Sequence, residues 1–167
     1  MHHSRSSLLT LAAVLMAASV SYAAEKPMAE PAGAKTSISA TSIHQEVDFT
    51  ASPDLVYSAL TDSAQFAAFS GRPAQIDRSV GGASTLFGGH IVARNVELVP
   101  GKRVVQAWRV VGWPDGMWSI ARFELQAKAG GTHLVFDHSS FPDGLRDHLA
   151  EGWGANYWSL MKKYFTR

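Results

Sequence analysis

The fold is decided by residues 119–165, which read SIARFELQAKAGGTHLVFDHSSFPDGLRDHLAEGWGANYWSLMKKYF. The first half alternates apolar and polar residues as two strands do, with a turn at Gly130-Gly131. The second half predicts a long helix that begins at Pro142 and Asp143, because its apolar residues recur at spacings of three and four. These helix residues are Leu145, Leu149, Trp153, Tyr157, Leu160 and Tyr164. Their apolar stripe must cover an apolar surface.

The residues before this stretch predict further antiparallel strands. Between Ala74 and His138, short alternating segments are separated by turn-forming residues. The turn signals are Gly81-Gly82, Gly88-Gly89, Pro100-Gly101, Pro114-Asp115-Gly116 and Gly130-Gly131. Because side chains alternate between the faces of a strand, one set of residues should share the concave face of the sheet. That set is Val104, Gln106, Trp108, Val110, Ser119, Ala121, Phe123, Leu125, Leu134, Phe136 and His138. For Asn95 two competing alternations leave the direction open.

The start of the domain predicts one strand followed by two short helices. Ser52 followed by Pro53 is typical of a helix N-terminus, and Asp62 can cap a second helix that ends near Gly71. The first strand is indicated by the alternation of Ile43, Gln45, Val47 and Phe49 with polar residues. A strand, two helices, about six antiparallel strands and a long helix together predict an α+β fold, in which a curved sheet wraps around the C-terminal helix.

These elements and several short motifs resemble a known family. The motifs are Ser52-Pro53, Gly81-Gly82, Leu98-Val99-Pro100 before a basic turn, Trp108, Trp113-Pro114-Asp115-Gly116, and Gly152-Trp153 with Tyr157 and Phe165. Together they look like the carboxy-terminal domain of the activators of heat-shock protein 90 ATPase, within the SRPBCC (START and birch-pollen-allergen-like) superfamily. The resemblance covers about residues 43–165 and implies a helix-grip domain with a cavity between the long helix and the sheet. In many relatives that cavity holds an apolar small molecule.

The amino-terminal residues have the pattern of a secretory signal peptide. A basic segment is followed by thirteen mostly apolar residues and by small residues that precede an expected cleavage after Ala23. The apolar run is shorter than the stretch of about 20 residues that a membrane-spanning helix needs. An uncleaved amino-terminal anchor is the alternative interpretation of this segment. We therefore expect a signal peptide at 1–23, a flexible leader at 24–41 and the folded domain at 42–167. The domain would be periplasmic or secreted, without stable insertion into a membrane.

The composition excludes several classes of function. The 167 residues contain no cysteine, which excludes disulfides, thiolate metal sites and cysteine nucleophiles. The net charge of +1 comes without a basic cluster, so we expect no nucleic-acid partner. Histidine spacings do not fit a zinc site and the glycine pairs lack the context of a nucleotide loop, so we expect no metal and no cofactor.

We expect the functional site between the sheet and the long helix. An apolar ligand there would stack on rings from both elements and would need a polar anchor. The candidate ligand-binding residues are Gln106, Trp108, Phe123, Phe136, His138, Trp153 and Tyr157. Because buried polar groups need partners, Gln106 and His138 either bond within the protein or bind the polar end of a ligand. The five tryptophans of the chain are also explained as core residues.

His138 raises an enzymatic alternative. Asp137, His138 and Ser139 are adjacent, but neighbours on a strand face opposite ways and cannot form a hydrolytic triad. We expect no catalytic residue, and an exported protein that binds a hydrophobic molecule or lipid without changing it. Two alternatives stay open. One is a protein-interaction module, similar to a co-chaperone, whose cavity is filled by its own rings. The other is a cyclase or hydrolase that uses His138 as acid or base.

Overall fold

The alternating segments pair, as predicted, into a seven-stranded antiparallel sheet. The computed structural model describes residues 41–166, so the predicted signal peptide and nearly all of the leader lie outside the described residues. The strands are β1 (Ser42–Phe49), β2 (Gln75–Ile76), β3 (Ala83–Leu86), β4 (Ile91–Val99), β5 (Arg103–Val110), β6 (Ser119–Lys128) and β7 (Gly131–Ser139). They lie in the order β1-β7-β6-β5-β4-β3-β2, which makes the first and last strands neighbours.

Two short helices follow β1, and their caps are the predicted ones. In α1 (Pro53–Thr61) the hydroxyl of Ser52 accepts a hydrogen bond from the Leu55 amide at 3.4 Å. In α2 (Ser63–Ser70) the carboxylate of Asp62 accepts from the Gln65 amide at 3.0 Å. α2 ends at Ser70 and is capped by Gly71, whose φ of 69° a residue with a side chain rarely adopts.

The C-terminal helix begins later than predicted. Its first segment is α3 (Arg146–Trp153), and the expected start at Pro142 and Asp143 is wrong. The reason is Gly144, whose φ of 78° cannot belong to a right-handed helix and separates those residues from it. α3 is followed by a π turn (Gly154–Trp158) and by α4 (Ser159–Phe165). We call this continuous helical segment, residues 146–165, the C-terminal rod.

The π turn moves the buried face of the rod by one position. It adds a residue to one helical turn, so that Tyr157 and Trp158 are both buried although they are adjacent in sequence. Beyond it the buried residue is Met161, whereas Leu160 and Tyr164, which the unbroken spacing placed in the core, are only half-buried.

The concave face of the sheet carries the residues that strand alternation predicted, and a β-bulge explains the ambiguity at Asn95. Asn95 pairs with Gln106 and the next pair joins Glu97 to Val105, so Val96 has no opposite residue. Ile91, Ala93 and Asn95 therefore point inwards before the bulge. Strand β4 therefore follows one alternation up to Asn95 and the other alternation from Glu97 onwards.

Three of the tryptophans are buried in the core, and two are not. Trp108, Trp153 and Trp158 are buried, Trp113 is half-buried, and Trp118 is 38% exposed beneath the guanidinium of Arg109. The core interpretation is therefore wrong for Trp118. In residues 41–166, no helix has the length and apolar character needed to cross a membrane.

Candidate functional site

The centre of the space between sheet and helix is filled by aromatic rings. The ring of Trp153 lies 4.3 Å from Phe136, 5.4 Å from Trp108 and 5.7 Å from Phe123, measured between ring centroids. Trp153 also lies 4.2 Å from the ring of Tyr157. These distances are those of rings in direct contact. The space between these faces, which the sequence predicted to be open, is therefore filled by their own rings.

His138 is buried at the edge of this cluster with both ring nitrogens engaged. Its Nδ1 lies 3.0 Å from the indole nitrogen of Trp153, which can only donate, so Nδ1 is the unprotonated acceptor. The proton is therefore on Nε2, which lies 2.7 Å from the hydroxyl of Ser119. That hydroxyl donates in turn to the carbonyl oxygen of Trp108 at 2.7 Å. Of the two interpretations of His138, the structure supports the structural one.

Burial keeps His138 neutral. The pKa of its imidazole falls from the usual 6.5 to about 3, because the charged form is desolvated and no acid faces it. A histidine held neutral with both nitrogens bonded has no free site for a substrate proton.

Gln106 is also bonded within the protein. Its amide nitrogen donates to the side-chain oxygen of Asn95 at 3.0 Å. The amide nitrogen of Asn95 donates to the carbonyl oxygens of Asp77 at 2.7 Å and Ser79 at 3.2 Å. Gln106 and Asn95 thus connect the sheet to the loop between β2 and β3.

A cavity of about 310 Å³ lies at one end of the ring cluster. It is bounded by the 3₁₀ turn at Phe87–Gly89, by the neighbouring ends of β4 and β5, and by the C-terminal rod. Its lining residues are Arg72, Phe87, His90, Ile91, Trp108, Val110, His148, Leu149, Gly152, Trp153, Asn156 and Tyr157. The lining is mostly apolar, as in ligand sites, and the volume is at the lower end of the about 300 to 1,000 Å³ typical of them.

The 3₁₀ turn holds Phe87 in an unusual backbone conformation. Its φ is 53°, in the left-handed region that costs a bulky residue energy. The ring nevertheless packs edge-on against Phe66 at 5.1 Å and Tyr157 at 5.2 Å. Backbone strain of this kind is frequent at binding sites, and here it places an aromatic ring in the cavity wall.

The opposite wall of the cavity is formed where the rod is irregular. Gly152 lines the cavity, and a Cβ there would meet nothing closer than the side-chain nitrogen of Asn156 at 4.0 Å. Asn156 and Tyr157 belong to the π turn and line the same cavity. π turns inside helices occur frequently at functional sites.

Two buried donors beside the cavity lack a hydrogen-bond partner. They are the indole nitrogen of Trp108 and the hydroxyl of Tyr157. Burial raises the pKa of the Tyr157 phenol, and the Trp108 N–H directed at its oxygen offsets this only in part. The geometry between the two groups falls short of a hydrogen bond, so both remain unsatisfied, which costs about 1 to 3 kcal/mol for each group.

The seven predicted site residues divide into two groups. Trp108, Trp153 and Tyr157 line the cavity. The other four, which do not line it, are Gln106, Phe123, Phe136 and His138. Sequence reasoning missed Phe87, and it also missed Arg72, His90 and His148. The only signal for Phe87 was the Gly88-Gly89 pair after it, which we read as a turn. Among residues 41–166 no cluster of three or more histidines and carboxylates is arranged to hold a metal.

Comparison with known proteins identifies relatives over most of the described chain. Residues 50–166 match the family model described as Activator of Hsp90 ATPase homolog 1-like protein. The human Activator of 90 kDa heat shock protein ATPase homolog 1 is 28% identical over 143 residues, which are 86% of this chain and 42% of the human protein. The chain thus spans less than half the length of the curated relatives that it matches.

Solved structures share the fold. A crystal structure described as an HSP90 activator from Plasmodium falciparum is 23% identical, with a TM-score of 0.71 over 74% of this chain and 95% of that chain. The solution structure of the Aha1 dimer from Colwellia psychrerythraea is 22% identical, with a TM-score of 0.63 over 74% and 95%. These matches confirm the helix-grip fold that the sequence predicted.

Proposed function

Because the chain belongs to the family of Activator of Hsp90 ATPase homolog 1-like proteins, we propose that it is an exported protein that binds a small hydrophobic molecule without changing it chemically. The observation that carries this proposal is the apolar cavity beside Trp108, Trp153 and Tyr157. Its volume of about 310 Å³ equals that of about ten water molecules at about 30 Å³ each. The ligand is therefore a compact molecule with one or two rings or a short branched chain, rather than a whole lipid.

The walls of the cavity suit such a ligand energetically. If about 300 Å² of ligand apolar surface is buried, the gain is roughly 7 kcal/mol before the cost of association. Flat rings such as those of Trp108 and Phe87 offer this area without losing much side-chain freedom. Binding in the micromolar range then requires an additional polar contact.

The state of His138 supports binding without catalysis. The enzymatic alternative gave His138 the role of acid or base, which requires a pKa near the working pH and access to the substrate. Here the pKa is about 3, and Trp153 and Ser119 occupy both nitrogens. His138 is not one of the residues that line the cavity.

Neutral probes test the proposal directly. We would titrate the protein with 3-phenylpropanamide, 2-naphthylacetamide and 4-methylpentanamide, and follow binding by calorimetry and saturation-transfer NMR. Gly152→Leu places a side chain in the cavity and should abolish binding. The matched control is Gly154→Leu, on the same rod but outside the lining, where an added Cβ meets nothing within 4 Å. Binding that Gly152→Leu leaves intact, or no binding of any probe, would contradict the proposal.

The export part of the proposal rests on the amino-terminal pattern and has its own test. Expression in a Gram-negative host, followed by intact mass measurement of the periplasmic fraction, should give a chain that begins at Ala24. A full-length chain in the cytoplasm would contradict export. Native mass spectrometry of the same fraction would show a small adduct that Gly152→Leu removes.

A second candidate function is a protein-interaction module. The connection between β5 and β6 carries exposed apolar side chains, and the names of two relatives mention chaperone activation or a dimer. The exposed residues are Val111, Met117 and Trp118 in the connection and Ile120 in β6. If this candidate holds, the protein accelerates the ATPase of an Hsp90-type chaperone and Trp118→Ser removes the effect. Leu55→Ser, an exposed apolar change on α1, is the control.

A further inference from the structure

The polar groups around the cavity are mostly hydrogen-bond donors. At the rim are the exposed side chains of Arg72, His90 and His148. Further in, Trp108 and Tyr157 each have a buried donor with no partner. No aspartate or glutamate belongs to the lining of this cavity.

Arg72 is available for a ligand. It follows the end of α2, and within residues 41–166 its guanidinium forms no ion pair or hydrogen bond with the protein. Other exposed arginines are engaged: Arg78 lies 3.6 Å from Asp62, and Arg94 donates to the carbonyl of Gly81 at 2.8 Å. Arginine is well suited to bind a carboxylate because its planar group can donate two parallel hydrogen bonds.

The unsatisfied donors of Trp108 and Tyr157 support the same chemistry. A phenol and an indole buried without partners are costly to the empty protein. Both atoms are inaccessible in the empty protein, so a ligand oxygen recovers that cost by drawing one of these side chains towards the cavity. An oxygen that only accepts is the complement of an N–H and an O–H.

From these two observations we infer that the ligand is a small apolar carboxylate, whose charged group is bound by donors and whose apolar part lies against Phe87, Trp108 and Trp153. The inference rests on the proposed function, since it names the chemical class of the ligand in the same cavity. Arg72 at the rim attracts the anion, and the absence of acids from the lining removes any repulsion.

Matched acids and amides test this class. We would compare 3-phenylpropionate, 2-naphthylacetate and 4-methylpentanoate with their amides, because each pair has the same apolar part and differs in charge. A hydrogen bond to a charged group contributes about 1.5 to 3 kcal/mol, so at least one acid should bind about tenfold or more tightly than its amide. The advantage should shrink as salt is added.

Three variants locate the effect. Arg72→Gln should reduce the preference for the acid by about tenfold and leave the affinity for the amide unchanged. Arg78→Gln, which removes the same charge outside the lining, should change neither affinity. Tyr157→Phe should weaken binding of the acid while leaving stability to urea unchanged or higher, because the deleted hydroxyl has no partner in the free protein.

The outcomes separate this inference from the proposed function. If amides bind as tightly as acids and Gly152→Leu abolishes both, the cavity is a ligand site but the inference of a carboxylate is overturned. If Arg72→Gln and Arg78→Gln have equal effects, the inference is also overturned, because the preference is then a general charge effect. If neither acids nor amides bind, the proposed function and the inference fail together.

Discussion

The indole nitrogen of Trp153 donates to Nδ1 of His138 over 3.0 Å, and this bond joins the C-terminal rod to β7 inside the core. The residues are fifteen positions apart and both are almost completely buried. The bond fixes the tautomer of His138 and, through Ser119, extends to the backbone of β5. The bond therefore restricts how the C-terminal helix can be oriented on the sheet.

Trp153→Phe should destabilise the protein more than Trp158→Phe. The first change leaves Nδ1 of His138 buried without a donor, which costs about 1 to 3 kcal/mol in addition to the lost ring volume. Trp158 donates to Gln45 at 2.7 Å, but Gln45 is only half-buried and water can replace the donor. Urea unfolding of both variants measures the difference. Equal losses of unfolding free energy in the two variants would show that the bond to His138 adds no stability of its own.

Because of His138, the free energy of unfolding should decrease as the pH is lowered. Below pH 6.5 the unfolded chain takes up a proton on His138, whereas the native chain does so only near pH 3. The free energy of unfolding contributed by this group is therefore fully present above pH 6.5 and declines by up to about 1.4 kcal/mol per pH unit as the pH falls towards 3.

His138→Gln removes this titration and can still accept from Trp153 and donate to Ser119. The difference in unfolding free energy between the parent and His138→Gln should shrink, or change sign, as the pH is lowered. Parallel pH profiles would contradict a neutral buried histidine. His44→Gln is the control. The hydrogen bond to Asp137 raises the pKa of the exposed His44, so the contribution of His44 to the free energy of unfolding increases as the pH falls.

Asn95→Ala should be costly, whereas Val96→Ala should be nearly neutral. Asn95 is buried and bonds Gln106, Asp77 and Ser79, so its removal leaves several buried polar groups without partners, at about 1 to 3 kcal/mol. Val96 occupies the bulge and is 52% exposed. Thermal unfolding of the two variants tests the bulge, and a larger loss for Val96→Ala would place the bulge elsewhere.

Gly131→Ala and Gly152→Ala should have opposite effects on stability. A Cβ at Gly131, the first residue of β7, would overlap the carbonyl oxygen of Phe49, so β1 or the hairpin must shift. At Gly152 the added methyl meets no atom closer than 4.0 Å and removes a helical glycine, which should stabilise the protein by about 0.5 to 1 kcal/mol. Guanidinium unfolding of both variants measures the signs. A loss at Gly152 would mean that the rod cannot accept a side chain there.

Local patterns were sufficient for most of the fold. The caps at Ser52 and Asp62 and the turns between strands depend on neighbours within about four residues, so the sequence contains their causes. The alternation of Phe123 and Leu125, or of Leu134 and Phe136, likewise sets which face of a strand is buried. The predicted start of the C-terminal helix was wrong because the positive φ of Gly144 prevents the helical backbone from beginning at Pro142.

The amino-acid sequence by itself determined the order of the elements, the buried faces of β1, β5, β6 and β7, and the family, because each depends on spacing along the chain. Only the tertiary structure decided that Trp153 fills the centre and that the cavity lies beside it, next to Phe87 and Gly152. The physical reason is that ring packing depends on distances between residues far apart in sequence, and on a π turn that the apolar spacing of three and four residues did not predict. Whether a buried polar group such as His138 is satisfied depends on the same long-range contacts.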